Sequence, residues 1–273
     1  MRQMKTIPFV KMHGNGNDFI IIDESKDAVK AKSGFAAKAC DRRFGIGADG
    51  LLFLSRPRNA DLGMRLFQPD GSEAEMCGNG IRCLVLYAVD AGYVKRGSVT
   101  VKTKAGLRRV TAKKSSVIVD MGKPQFARAA IPALGEGDEF VEHMHGVVVS
   151  AVNTGVPHAV VFDELLGDDI AELAAKIRYD PVFPHGANVD FVKADGNTLF
   201  VRTYERGVER ETLSCGTGAV AAAAVANQMG LIGNRAIVKA VGGSLKVTLR
   251  EDRAFMEGPA VMVYTGNYLL NRG

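Results

Sequence analysis

The phrase Cys-Gly-x-Gly occurs twice, as Cys77-Gly78-Asn79-Gly80 and as Cys215-Gly216-Thr217-Gly218, and each copy sits at the same point in a repeated order of strands and helices. In a chain of 273 residues the copies lie 138 positions apart. That spacing predicts an internal duplication, with two similar lobes and a cleft between them. Hydrophobic alternation in the first half predicts strands over 9–12 and 19–23 around the loop 13–18, a helix over 32–42, and strands over 51–54 and 64–67. A helix over 78–90 and a β meander over 98–102, 108–112 and 117–120 follow. The second half repeats the order, with strands 147–152 and 159–162, a helix 168–177 and strands 189–192 and 199–203. A helix over 216–229 and strands 236–240, 244–249 and 254–257 complete it. The Ala/Pro/Gly-rich stretch 122–139 reads as the linker, and a last strand at 261–264 is expected to return to the first lobe.

A thiol at a helix N-terminus faces unpaired backbone N–H groups and the positive end of the helix dipole, which favours thiolate and predicts a lowered cysteine pKa. The glycines leave those N–H groups open to a substrate carboxylate. Two such turns facing each other set one thiol on either side of a bound carbon acid. Cys40 and Cys83, by contrast, read as small buried residues.

Composition excludes several other classes. With 47% hydrophobic and 24% charged residues the chain is an ordinary globular sequence. Met1–Val10 has no apolar run long enough for a signal peptide, and Ala219–Ala226 falls far short of the roughly 20 residues that span a bilayer. The expectation is a cytoplasmic protein with no membrane partner. A net charge of +5 comes from scattered basic residues in short pairs such as Arg42-Arg43 and Lys113-Lys114. No basic tract is interleaved with aromatics, so no nucleic-acid partner is expected. Four cysteines without a Cys-x-x-Cys pair predict neither a disulfide framework nor a zinc site, and no metal is expected. Gly45-Ile46-Gly47-Ala48-Asp49-Gly50 fits the dinucleotide fingerprint in letters only. It follows a helical, basic stretch and leads into a strand, the reverse of the strand-to-helix order a nucleotide site needs.

The runs Lys11-Met12-His13-Gly14-Asn15-Gly16-Asn17-Asp18-Phe19, Asp70–Gly80 and Tyr204-Glu205-Arg206-Gly207, together with Cys215-Gly216-Thr217-Gly218, resemble the diaminopimelate epimerase family over the whole chain and in the right order. The resemblance implies an α/β (α+β) fold of two pseudo-symmetric lobes, each a β-sheet wrapped around a central helix, with the active site in the cleft between them. The lobes are expected over 1–126, carrying Cys77, and 127–273, carrying Cys215, with the final strand at about 261–273 returning to the first. It further implies an isomerase that converts LL-2,6-diaminopimelate to the meso isomer in lysine biosynthesis, as a homodimer and without pyridoxal phosphate, another cofactor or a metal. One thiolate removes the α-proton of the small-molecule amino-acid substrate, and the other thiol returns a proton to the opposite face.

By position in that pattern, Asn17 and Glu205 hold the reacting α-amino group, and the backbone around Gly78, Asn79, Gly216 and Thr217 stabilises charge on the carboxylate. His158 matches a family histidine near the first cysteine, and a satisfied structural histidine is the alternative reading. Asn188 and Arg206 match residues that recognise the distal, non-reacting group. Two departures fall at that end. Gln68 stands where the family usually has Asn, and Val156, which has no hydrogen-bonding side chain, stands where it usually has another. Asn153 is a candidate replacement, but strand alternation points it to the opposite face. These departures keep open a related cofactor-independent racemase of another amino acid. A non-catalytic ligand-binding relative is the third reading, and the retained cysteine pair argues against it.

Overall fold

A computed structural model describes residues 6–24, 29–163 and 170–270. The chain divides into two compact units, Met1–Val119 with Gly258–Gly273, and Asp120–Glu257.

The first unit opens with β1 (Thr6–Gly14) and β2 (Asn17–Asp23), an antiparallel hairpin in which Gly14 pairs with Asn17. Asn15 and Gly16 between them have φ of 55° and 83°. Two successive left-handed residues make the tight turn whose twist suits a hairpin, and Asn and Gly tolerate that region best. Helix α1 (Lys32–Cys40) leads to β3 (Gly50–Ser55), which lies parallel to β2. β4 (Leu62–Phe67) returns antiparallel to β3, and the short β5 (Glu73–Ala74) folds back on β4. Helix α2 (Gly78–Asp90) then carries the chain to β6 (Gly97–Thr103), parallel to β4, and β7 (Gly106–Ala112) and β8 (Val117–Gly122) complete a meander.

The second unit starts with β9 (Val141–Met144) against β10 (Val147–Asn153) and then repeats the scheme. β10 and β11 (Pro157–Phe162) are antiparallel, α3 (Ala171–Arg178) leads to β12 (Asn188–Asp195) parallel to β11, and β13 (Thr198–Glu205) returns with β14 (Arg210–Thr212) folded on it. Helix α4 (Gly216–Gln228) leads to β15 (Arg235–Ala240), parallel to β13, followed by β16 (Gly243–Arg250) and β17 (Arg253–Gly258). The last strand, β18 (Val261–Leu269), pairs antiparallel with β1, taking in the first unit the place that β9 takes beside β10 in the second.

In each unit the strands wrap one helix. α2 packs on β1, β2, β3, β4, β7 and β18, and α4 on β10, β11, β12, β13, β15 and β16. Their sequences suit this place differently. α4 carries a run of Ala and Val, buried from Gly218 to Ala226, and small side chains let strands approach from every side. α2 is buried from Gly78 to Val85 and again at Ala88, and only Asp90 at its end is exposed. Phe35, Phe53 and Phe67 centre an apolar cluster of the first unit, and Phe140, Phe183 and Phe191 one of the second.

Several boundaries depart from the sequence expectation for local reasons. α1 stops at Cys40 rather than 42, because Asp41 turns extended and its carboxylate accepts from the N–H groups of Arg43 and Phe44. α3 begins at Ala171, and the expected start at 168–169 lies outside the described residues. β5, β9 and β14 are too short to leave a periodic signal. After the Gly-x-Gly-x-x-Gly run comes β3, a strand and not a helix.

Candidate functional site

Each thiol sits at a helix N-cap. Cys77 precedes α2 with extended backbone (φ −139°, ψ 124°), and Cys215 precedes α4 likewise (φ −116°, ψ 116°). Both cysteines are half-buried, whereas Cys40 and Cys83 are buried and burial pushes both of their thiols up to about 12.

In the first unit the thiol of Cys77 donates to Asn17 Oδ1 at 3.6 Å, and Asn79 Nδ2 donates to the same oxygen at 3.2 Å. Asn17 is oriented from behind, its Nδ2 donating to Asp49 Oδ2 at 2.9 Å. Asp49 is fixed in turn by Arg42, which also grips Asp18, and Asp18 forms an ion pair with Lys11 at 2.7 Å. Burial works to raise the Asp18 carboxyl, but the hydrogen bonds from Arg42 and Lys11 outweigh it and hold Asp18 well below the usual carboxylate range. The glycine-rich run that mimics a nucleotide fingerprint thus carries the carboxylate that sets the Asn17 amide. Asn17, Cys77, Gly78 and Asn79 are brought together. Gln68 is not among them: its side chain is exposed and makes no hydrogen bond among the described residues, while its backbone closes the turn to Ser72.

In the second unit Cys215 Sγ accepts from Gly218 N at 3.4 Å and lies 3.3 Å from Thr217 Oγ1. Thr154 Oγ1 donates to the Thr217 carbonyl at 3.0 Å and ties the first turn of α4 to the β10–β11 turn. The expectation of a lowered thiol pKa fails here. Burial pushes the Cys215 thiol well up, the charges of Glu205 and Asp190 push the same way, and the donors from Thr217 and Gly218 do not offset them.

His158 and Asp190 are both fully buried. His158 Nδ1 lies 2.6 Å from Asp190 Oδ2, and Thr203 Oγ1 donates to Asp190 Oδ1 at 2.6 Å. An ionised carboxylate can only accept, which puts a proton on Nδ1. A Cβ at Gly218 would lie 2.4 Å from Asp190 Oδ1, so this glycine is what lets the carboxylate lie against α4. Within its own unit His158 is therefore a satisfied partner of Asp190.

Asn188 is committed at both ends, Nδ2 to the Pro157 carbonyl at 3.1 Å and Oδ1 to the Arg206 N–H at 2.8 Å. The Arg206 guanidinium rests on the carbonyls of His185 and Gly186, both at 3.0 Å. Burial, reinforced by Arg178, lowers its pKa. Asn153 does not replace the amide missing at Val156. Its Nδ2 donates to the Ala130 carbonyl and its Oδ1 accepts from Gly155 N.

Asp190, Thr203, Arg82 and Asp49 were not among the sequence candidates. Two of them did leave a signal. Asp190 is a charge within the apolar run Val189–Val192, and Arg82 is a charge one turn into the apolar helix α2. No group of three or more His, Cys, Asp or Glu side chains among the described residues is arranged to hold a metal ion, and no helix among them is long and apolar enough to cross a membrane.

A family model described as diaminopimelate epimerase matches residues 9–127 and 150–263. The chain is 54% identical over 271 residues to a diaminopimelate epimerase of Methanocella arvoryzae, with 96% of this chain and 97% of the relative covered. It is 50% identical over 273 residues to one of Archaeoglobus fulgidus, with 97% of each covered. Among solved structures, a phenazine biosynthesis protein of the PhzF family from Bacillus anthracis superposes with a TM-score of 0.72 at 18% identity, covering 98% of this chain and 100% of that one. A hydroxyproline epimerase from Agrobacterium vitis, with bound trans-4-hydroxy-L-proline, gives 0.70 at 16% identity, covering 100% and 95%.

Proposed function

Because this chain belongs to the diaminopimelate epimerase family, we propose that it inverts one α-carbon of LL-2,6-diaminopimelate to give the meso isomer, with Cys77 and Cys215 as the two bases. The observation that carries this reading is that both of its long central helices, α2 and α4, open with a cysteine N-cap followed by Gly-x-Gly. One thiolate takes the α-proton while the other thiol delivers its own to the opposite face, so the two exchange protonation state in each turnover.

A thiolate alone is too weak a base for a carbon beside a carboxylate, so charge building on that carboxylate must be stabilised as the proton leaves. The first-turn N–H groups of Gly78, Asn79, Gly216 and Thr217 are suited to this, since a helix supplies them with no carbonyl of its own. Asn17 Oδ1 and the Glu205 carboxylate are acceptors for the reacting ammonium, which stays protonated and acidifies the adjacent carbon. At the distal end Arg206 is the recognition group, and Asn188 holds the Arg206 backbone rather than touching substrate. Gln68 reaches the distal group if it leaves its exposed position on binding, and Val156 adds only apolar contact. Relatives at 50–54% identity named for diaminopimelate do not favour a racemase of another amino acid or a non-catalytic relative.

We place the reaction in lysine biosynthesis and in the cytoplasm, acting on a small molecule and not on nucleic acid. A homodimer is supported by β18, an uncharged strand on which Val261, Met262, Val263, Tyr264 and Leu269 are exposed. An edge of that kind is a template for another chain. The first test is inversion in deuterated water with reduced protein and no added cofactor, comparing LL-diaminopimelate with common L-amino acids. Rapid exchange and inversion of diaminopimelate alone is expected. Exchange with none of them would end the catalytic reading, and preference for another amino acid would move the substrate while keeping the thiols.

A further inference from the structure

The turn between β13 and β14, residues 206–209, carries Arg206, the group assigned to the distal end of the substrate. Glu205 precedes it as the last residue of β13 and pairs with Arg210, so the strand ladder places its backbone. Arg206 has no such ladder partner. Gly207 and Val208 beside it are exposed, and a surface turn holds a side chain in one place only where other contacts fix its backbone. Asn188 Oδ1 accepts from Arg206 N at 2.8 Å, and the carbonyls of His185 and Gly186 accept from the guanidinium. Glu209 supplies the rest. Its Oε1 accepts from Gly207 N at 2.9 Å and from Arg178 Nη2 at 3.0 Å.

Arg178 is the last residue of α3, and its guanidinium stacks over the Tyr179 ring at 4.7 Å. It also lies directly against Gly186, where a Cβ would collide with Nη1. The pair therefore grips Arg206 from two sides. Arg178 backs the Gly186 residue whose carbonyl takes the guanidinium of Arg206, and Glu209 takes the N–H of the peptide that follows Arg206. Stability does not account for this arrangement. Glu209 has φ of 56°, a left-handed conformation that suits glycine and costs a glutamate free energy. Its side chain is 33% exposed and that of Arg178 13%, and a partly exposed ion pair adds little to global stability. A carboxylate kept on a strained backbone for so small a gain points to a local use.

We infer that Arg178 and Glu209 are positioning residues for distal recognition, an ion pair that acts through Arg206 by fixing its backbone and the cradle of its guanidinium. The role rests on the proposed use of Arg206 at the distal end of diaminopimelate.

The first variant is Glu209→Gly, because glycine suits the left-handed backbone and the turn keeps its conformation while losing the carboxylate. In steady-state inversion of LL-diaminopimelate, KM should rise about tenfold with kcat within about threefold of the parent, since the loosened contact is made alike in ground and transition states. Arg178→Met should do the same, and the double variant should be no worse than either single one. An unchanged KM in Glu209→Gly, a fall in kcat at constant KM, or additive losses in the double variant overturns the inference. Amide hydrogen exchange of the whole chain without substrate is the second readout. Exchange over 204–210 should rise about tenfold in Arg178→Met while that of β12 stays as in the parent. If the parent proves inactive on diaminopimelate, the epimerase reading fails on that result alone. Raised exchange at the turn then still supports the pair as the clamp on Arg206, and unchanged exchange overturns it.

Discussion

Beneath Gly80 in the first turn of α2 lie Phe19 and Leu52, with Leu66 paired to Leu52 across the sheet; at the equivalent positions under Gly218 of α4 lie His158, Asp190 and Thr203. The strand registers make these sets equivalent, since β2 and β3 pair in parallel as β11 and β12 do. One topology thus carries an apolar support with a buried arginine beside it in one unit, and a buried acid with its histidine in the other. Backbone order and the cysteine cap are the same in both units, and the side chains packed behind the cap differ.

The largest test of the comparison is removal of the thiols. Cys77→Ala and Cys215→Ala should each lower inversion by on the order of 10^2- to 10^4-fold in a deuterium-incorporation assay, while Cys40→Ala and Cys83→Ala retain it. Equal losses at all four would reduce the cysteines to packing.

Next is the buried acid. Asp190→Ala leaves His158 without its partner and should cost about 3–5 kcal/mol in urea unfolding. The triple change His158→Phe, Asp190→Leu, Thr203→Leu, which copies the apolar set of the first unit, should recover much of that loss and move the Cys215 alkylation curve to lower pH. A triple variant no more stable than Asp190→Ala would show that the two supports are not interchangeable.

The third concerns Asp18, which the first unit has and whose counterpart by register is Pro157. Its carboxyl lies below its unfolded value, so its stabilisation is fully present above about pH 4 and is lost as pH falls toward the folded value. Asp18→Asn should cost about 1.5–3 kcal/mol at neutral pH. The gap from the parent should close on acidification, and a gap that stays constant down to acid unfolding would contradict this.

The smallest effect is at the two glycines. Gly218→Ala drives a Cβ into the Asp190 carboxylate and should cost about 1–3 kcal/mol. At Gly80 the same Cβ meets Leu52 and Phe19 at 3.4 Å, ordinary contact, so Gly80→Ala should be neutral or stabilise by up to about 1 kcal/mol. Thermal melts of the pair distinguish these outcomes.

Much of the fold was legible in the sequence because duplication repeats long periodic segments, and both central helices begin at the glycine after their cysteine as the pattern predicts. What stayed hidden depends on contacts across strands. Asp190 looks like one charge in an apolar strand until β11 brings His158 beside it. Arg82 interrupts a helix face, and only folding shows that face to be enclosed. The raised Cys215 thiol escaped for the same reason: a helix N-terminus is visible in sequence, and the burial of the sulfur and the acids behind it are not. Asn188 shows the reverse: a family pattern offers its amide as a ligand group, and only the fold shows that the same amide also ties Pro157 to Arg206.

β18 follows the whole second unit in the chain and yet completes the sheet of the first. During synthesis residues 120–257 form a continuous stretch that has all its own strands once β17 has left the ribosome, while the earlier unit still lacks the strand that pairs along the whole of β1. The half made first is therefore finished last, and until then β1 is an open edge that a chaperone, or a neighbouring nascent chain, can occupy.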